Sequence, residues 1–292
     1  MEKMISRRQM LAYSARTIAA CSLLAGCSRP VTEEAESAGF KIGVCDWTIG
    51  RKTNPASLPL AKKLGLEGVQ VDFGGPKGDS LPLFEPGLQG EFLKTAERND
   101  VAICSLAMGT LNEYPLKSDP RTEKWVSDAI DTCSAMGPNV ILLAFFGNGD
   151  LRNDAKGKDN VVSKLKNLAP KAERSGVTFG FESWLSAREH LEIIDRVGSA
   201  AVKVYYDVGN SHKRRYDIYQ EIRDLKGQIC EFHAKDYDDL YGKGSIDFVK
   251  VREAMDAIGY RGWIVMEGTE MPLGLEESCR YDAAYLRKVF TI

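Results

Sequence analysis

Gly180-Phe181-Glu182, Val204-Tyr205-Tyr206-Asp207, Glu231-Phe232-His233 and Ile264-Val265-Met266-Glu267 are four short strand-like runs, and each closes on a residue that can bind a metal. The closing residues are 25, 26 and 34 positions apart. Each interval fits one helix, one strand and the two loops that join them. A parallel barrel brings such strand ends to one rim, where barrels of this kind build their active sites. Three carboxylates and one imidazole form a hard, oxygen-rich donor set with a single nitrogen. That set suits one divalent cation, Mn2+, Mg2+, Co2+ or Zn2+, better than a thiolate-seeking metal.

The same pattern extends outward from these runs. Apolar strand segments at 41–46, 68–73, 101–108, 140–145, 178–182, 203–207, 229–234 and 263–267 alternate with helical segments at 55–63, 88–99, 122–136, 158–174, 188–197, 216–225, 246–257 and 277–290. Val140-Ile141-Leu142-Leu143-Ala144-Phe145 is apolar without interruption, as expected of a strand covered on both faces in a parallel sheet. Gly65, Gly137, Gly176 and Gly259 stand where helices stop. Eight strand-helix units with no linker rich in Pro, Gly or Ser predict an α/β fold, a single-domain (β/α)8 TIM barrel over residues 40–292. A doubly wound open sheet is the alternative. It would more often carry a glycine-rich phosphate turn after the first strand, and Cys45-Asp46-Trp47-Thr48 has none.

The N-terminus reads as targeting information. Ser6-Arg7-Arg8-Gln9-Met10-Leu11 is a twin-arginine start, an apolar stretch follows from Ile18 to Ala25, and Leu24-Ala25-Gly26-Cys27 reads as a lipobox. A span this short cannot cross a bilayer as a helix. Residues 1–26 are therefore expected to be a signal peptide, Cys27 a lipid anchor, and 27–39 a flexible tether. The chain is then an exported lipoprotein of the periplasm or cell envelope, in contact with the membrane only through that lipid. Phosphorylated sugars are scarce there, which favours a free sugar, glycoside or oxidised sugar as substrate. A formal net charge of −2 argues against a nucleic-acid partner. Of the seven cysteines, Cys45, Cys104, Cys133, Cys230 and Cys279 follow the signal and anchor positions; their spacing pairs none of them, and they are expected as core thiols.

The four closing segments resemble the xylose-isomerase-like family of TIM barrels, which includes tagatose-type 3-epimerases, inosose dehydratases and hydroxypyruvate isomerase. Asp207-Val208-Gly209-Asn210, His233-Ala234-Lys235-Asp236, Gly242-Lys243-Gly244-Ser245-Ile246-Asp247 and Gly259-Tyr260-Arg261-Gly262-Trp263 carry the likeness, which spans about residues 40–292. The resemblance implies that Glu182, Asp207, His233 and Glu267 hold one divalent cation. It also implies that the cation polarises a sugar carbonyl, that a metal-held enediolate forms, and that Glu182 and Glu267 exchange the proton from opposite faces. Trp184, Asn210, His212, Lys235 and Asp236 are candidate substrate contacts. Two positions depart from the epimerase pattern: Ser183 and Trp184 follow Glu182 where an asparagine is usual, and Asn210 stands in place of a histidine.

The activity these readings imply is a metal-dependent sugar isomerase or epimerase, with a small carbohydrate as partner and a homo-oligomer left open. The alternative is a lyase or dehydratase acting on 3-keto sugars or inososes with the same site. A metal-dependent endonuclease of this fold would need many more histidines than the three present. A non-catalytic sugar-binding lipoprotein is the remaining class.

Overall fold

The computed structural model describes residues 39–268 and 270–290. The signal segment, Cys27 and all but the last residue of the 27–39 tether lie outside the described residues. Eight parallel strands close on one another in chain order: β1 (Lys41–Cys45), β2 (Gly68–Asp72), β3 (Ala102–Met108), β4 (Val140–Phe145), β5 (Thr178–Ser183), β6 (Val202–Asp207), β7 (Ile229–Ala234) and β8 (Trp263–Met266). Helices α1 (Ser57–Lys63), α2 (Pro86–Asn99), α3 (Thr122–Met136), α4 (Ala155–Arg174) and α5 (Ala187–Val197) follow the first five strands. Two helices, α6 (Val208–Lys213) and α7 (Ile218–Leu225), follow β6; α8 (Phe248–Ala257) and α9 (Leu275–Phe290) follow β7 and β8. The (β/α)8 barrel expected from the alternating pattern is the fold observed.

The reason for closure lies in how each strand divides its side chains. Alternate residues face outward and meet the helices in a large shared core that includes Val44, Val69, Val71, Leu106, Ile141, Leu143, Phe179, Phe181, Val204 and Phe232. The other residues face inward and form much smaller apolar groups: Ala107, Val140, Leu142, Ala144 and Tyr205 in one, Cys45, Cys104 and Val265 in another. The β1–β8 pairing, Lys41 to Trp263 through Val44 to Met266, closes the sheet and leaves it without an open edge. The remaining inward positions are polar and buried. Gln70, Ser105, Glu182, Asp207, Glu231 and His233 are all there.

The helix ends follow local rules. Gly65, Gly137, Gly176 and Gly259 all hold left-handed φ angles at helix stops. Several starts lie where a side chain caps the first turn. Asp154 accepts from the Gly157 amide and opens α4 three residues earlier than the periodicity predicts. Ser186 and Glu189 form a capping box on α5. The short helix α6 is absent from the sequence-based reading, because hydrophobic periodicity cannot register six residues; its signal is Asp207, whose carboxylate accepts from the Asn210 amide at 2.7 Å. Among the described residues all five cysteines are free; four are buried and Cys230 is half-buried.

His190 on α5 pins the end of β5. Its Nδ1 donates to the Ser186 carbonyl at 3.1 Å, and its Nε2 accepts from the Ser183 hydroxyl at 2.9 Å. Burial pushes its pKa down to about 4. An exposed histidine titrates near 6.5, so the unfolded chain takes up a proton first as the pH falls. The stabilisation is complete above about pH 6.5 and is lost as the pH drops towards 4. His190→Gln should lower stability at neutral pH and flatten the dependence of unfolding free energy on pH between about 6.5 and 4, measured by denaturant titration.

Candidate metal centre

Glu182, Asp207, His233 and Glu267 offer ligand atoms that all lie within 4.8 Å of one another. Their strands explain this. Asp207 and His233 are direct register partners across β6 and β7. Ala234 pairs with Met266, so Glu267 comes one step beyond the end of β8 and is tied back by its amide to the Ala234 carbonyl at 3.0 Å. Glu182 lies opposite Ala144 and turns its carboxylate to His233 Nδ1, 2.9 Å away. From Nδ1, Glu267 Oε2 is at 3.5 Å and Asp207 Oδ2 at 3.9 Å.

The imidazole is fixed from behind. His233 Nε2 lies 2.8 Å from Gln70 Oε1. The Gln70 amide cannot turn without loss, because its Nε2 donates to Ser105 Oγ at 3.0 Å and its Oε1 also accepts from the Cys45 thiol at 3.3 Å. Gln70 therefore presents an acceptor to His233, Nε2 carries a proton, and Nδ1 is the nitrogen directed at the carboxylates. Tyr205 packs its ring against the imidazole at 4.4 Å between centroids, and Trp47 meets it edge-on at 6.2 Å. Below this layer Glu231 is buried, and burial raises its pKa to about 8 even though Ser105 and Tyr205 act in the opposite direction. At neutral pH it is mostly uncharged and adds no fourth negative charge to the centre.

The electrostatics show a cluster that demands positive charge. At an effective dielectric near 20, two unit charges about 4 Å apart interact by about 4 kcal/mol. Burial drives the Asp207 carboxyl well above the usual range; Lys235 opposes that, and the charges of Glu267 and Glu182 add to it. Burial would raise Glu267 too, but Lys235 and then His233 outweigh it and hold it at about 2. His233 would be lowered by burial, yet Glu182 and Glu267 leave it raised overall. Lys235 Nζ sits 2.8 Å from Glu267 Oε2 and 3.7 Å from Asp207 Oδ2. The donor set fits one small divalent cation: oxygen-rich, one imidazole nitrogen, and spacings that metal–ligand bonds of about 2.0–2.2 Å can draw together.

The other candidates are placed as follows. Asn210 donates its side-chain amide to Asp207 Oδ2 at 2.7 Å and accepts from the Tyr237 hydroxyl at 2.5 Å, so it orients a ligand. Trp184, half-buried, meets Phe146 edge-on at 5.1 Å, and its indole joins Trp47 and Phe146 as an aromatic wall near the strand ends. Phe73 and Phe145, also near strand ends, belong to the outer core. Asp236 is fully buried and accepts from the Asp238 and Ile246 amides at 3.0 Å each, which folds the β7–α8 loop. His212 is hydrogen-bonded to Ser245 Oγ at 3.1 Å, away from the four ligands. Gly209 allows α6 to lie on the β7 end: a Cβ there would come within 2.7 Å of Lys235 Cβ. Sequence reasoning passed over Gln70 and read Cys45 only as a core thiol. The one available signal was a polar residue, Gln70, inside the otherwise apolar run Gly68–Asp72.

Comparison with known proteins gives a consistent family. A model described as "Xylose isomerase-like TIM barrel" matches residues 58–289. The 2-epi-5-epi-valiolone 7-phosphate 2-epimerase of Actinoplanes sp. is 26% identical over 171 residues, which cover 58% of this chain and 62% of that protein. The D-psicose 3-epimerase of Enterocloster bolteae is 26% identical over 127 residues, 40% of this chain and 42% of that one. The chain thus spans less than two thirds of either relative's length. Among solved structures, a D-psicose 3-epimerase with D-tagatose from Clostridium cellulolyticum H10 superposes with a TM-score of 0.70 at 19% identity, covering 85% of this chain and 99% of that one. The last likeness is one of fold.

Two outcomes are expected of the centre. Both His233 nitrogens face acceptors, so cation binding must displace the Nδ1 proton. Mn2+ affinity should fall as the pH is lowered from 7.5 to 5.5, with proton release detected as calorimetric heats that depend on the buffer. Gln70→Leu removes the acceptor that sets the tautomer and should weaken Mn2+ binding by roughly 10–100-fold, with Gln70→Glu retaining it.

Proposed function

This chain belongs to the xylose isomerase-like TIM-barrel family, and we propose on that premise that it is a divalent-metal-dependent sugar isomerase or epimerase. The observation that carries the reading is the convergence of Glu182, Asp207, His233 and Glu267 at one rim. The relatives being sugar epimerases supports it. When bound, the cation polarises a carbonyl and makes the neighbouring C–H more acidic. The protein's own groups do the rest. Asp207 and His233 act as ligands only, because Asn210 holds the first and Gln70 the second.

Glu182 and Glu267 are the acid/base pair, one removing the α-proton and the other returning it. Their environments differ. Glu267 is met by Lys235 and by the Trp47 indole N–H at 3.3 Å, while Glu182 contacts His233. The ammonium beside Glu267 stabilises its ionised form. Trp47, Phe146 and Trp184 exclude water from one side, which strengthens these interactions.

We further propose that the chain acts outside the cytoplasm, anchored through Cys27, on a sugar without a phosphate group. The test is exchange of the α-proton of a ketose with deuterated water, followed by NMR in the presence of Mn2+. Glu182→Gln and Glu267→Gln should each slow exchange by about 10²–10⁴-fold. Unchanged exchange in both variants would overturn the assignment. Enone absorbance from a 3-keto glycoside without proton return would select the lyase reading instead.

A further inference from the structure

The rim of the barrel carries cations that the metal centre does not require. Glu182, Asp207 and Glu267 are balanced by Lys235 together with one divalent cation. Lys213 and Arg214, at the end of α6, have no carboxylate partner among the described residues. Both lie close to the site through short contact chains. Lys213 Nζ is 4.1 Å from the centre of the Tyr237 ring, whose hydroxyl donates to Asn210, which in turn donates to Asp207. The Arg214 guanidinium is 5.4 Å from the centre of the Trp184 ring, two residues beyond Glu182.

Arg152 makes the comparison clear. It stacks on the same indole at 4.7 Å, but it is neutralised by Asp150 through bonds of 2.7 and 3.0 Å. Arg214 has no such carboxylate. Its Nε is buried and has no hydrogen-bond acceptor. A guanidinium stacked on an aromatic face directs its N–H edge into the plane beside the ring, and it pairs best with a two-oxygen anion. A buried N–H without an acceptor is costly, and in a native structure it calls for a partner such as an ion, a water or a ligand.

We propose that Arg214, assisted by Lys213, receives an oxyanion carried by the sugar substrate, a carboxylate or a phosphate. This deepens the isomerase reading and rests on it for the identity of the ligand as a sugar. The export signal makes the carboxylate of an oxidised sugar the first choice. The anion binds at the rim beside Trp184 and leaves the carbonyl end of the molecule for the four ligands. A neutral sugar lacks the group that Arg214 holds and binds with one contact fewer.

Calorimetric titration of the Mn2+-loaded protein with D-fructuronate, D-fructose 6-phosphate and D-fructose tests the proposal, since the three differ only at one end. One of the anionic sugars should bind roughly tenfold or more tightly than D-fructose, as a charge-assisted contact provides. That advantage should shrink with added salt. It should disappear in Arg214→Met, which keeps an unbranched stem against Trp184, and recover in part in Arg214→Lys. Mn2+ affinity within twofold of wild type shows that the variants are folded. Preference for D-fructuronate identifies a carboxylate, and preference for D-fructose 6-phosphate identifies a phosphate. Equal affinities, no measurable binding of either anionic sugar, or an advantage that survives in Arg214→Met overturns the proposal. Proton exchange is measured separately: its failure with the anion preference intact would sink the isomerase reading and leave the receptor standing.

Discussion

Three carboxylates held together out of water are the constraint on which this molecule is organised. Repulsion among Glu182, Asp207 and Glu267 would open the barrel rim if nothing opposed it. The protein opposes it locally with Lys235 and with an imidazole whose far nitrogen is held by Gln70. It also keeps Glu231, directly below, mostly uncharged. What remains is a pocket whose balance is completed by two further positive charges, and a divalent cation is the economical way to supply them.

The barrel makes this arrangement possible because it separates stability from chemistry. The large apolar core lies between the strands and the helices, so the inside of the barrel can hold polar residues without losing the main source of stability. The inner apolar groups are small, and they sit against the aromatic side chains nearest the site. Asn210, itself held by Tyr237, then fixes Asp207, while Trp47 meets Glu267 and Gln70 holds His233. Each is held by a partner of its own, which limits the rotamers available to the centre.

Much of this could be read before any coordinates. Eight strands were legible because both of their faces are buried, which leaves uninterrupted apolar runs such as Val140–Phe145. The four residues that converge at the rim were legible because they end such runs at intervals of one strand-helix unit. Helix α6 was not, since a six-residue helix has less than two turns of periodicity and its start depends on one side-chain bond from Asp207. Gln70 was not, because nothing in a linear sequence says that a glutamine on β2 faces a histidine 163 positions away. Asp236 comes three residues after His233 yet folds a loop, since β7 ends at Ala234 and the Asp236 carboxylate accepts from the Asp238 and Ile246 amides.

The ligands come from β5 to β8, while the inner faces of β3 and β4 contribute Ala107, Leu142 and Ala144. Ser105 on β3 still supports Gln70 behind His233, but among the described residues the loops after β3 and β4 supply none of the four and no hydrogen bond to any of them. Descendants of this chain could therefore remodel the loops after β3 and β4 to accept bulkier or differently shaped molecules while inheriting the reactive half intact. Evolvability, in this architecture, is a matter of which half of the circle carries the duty.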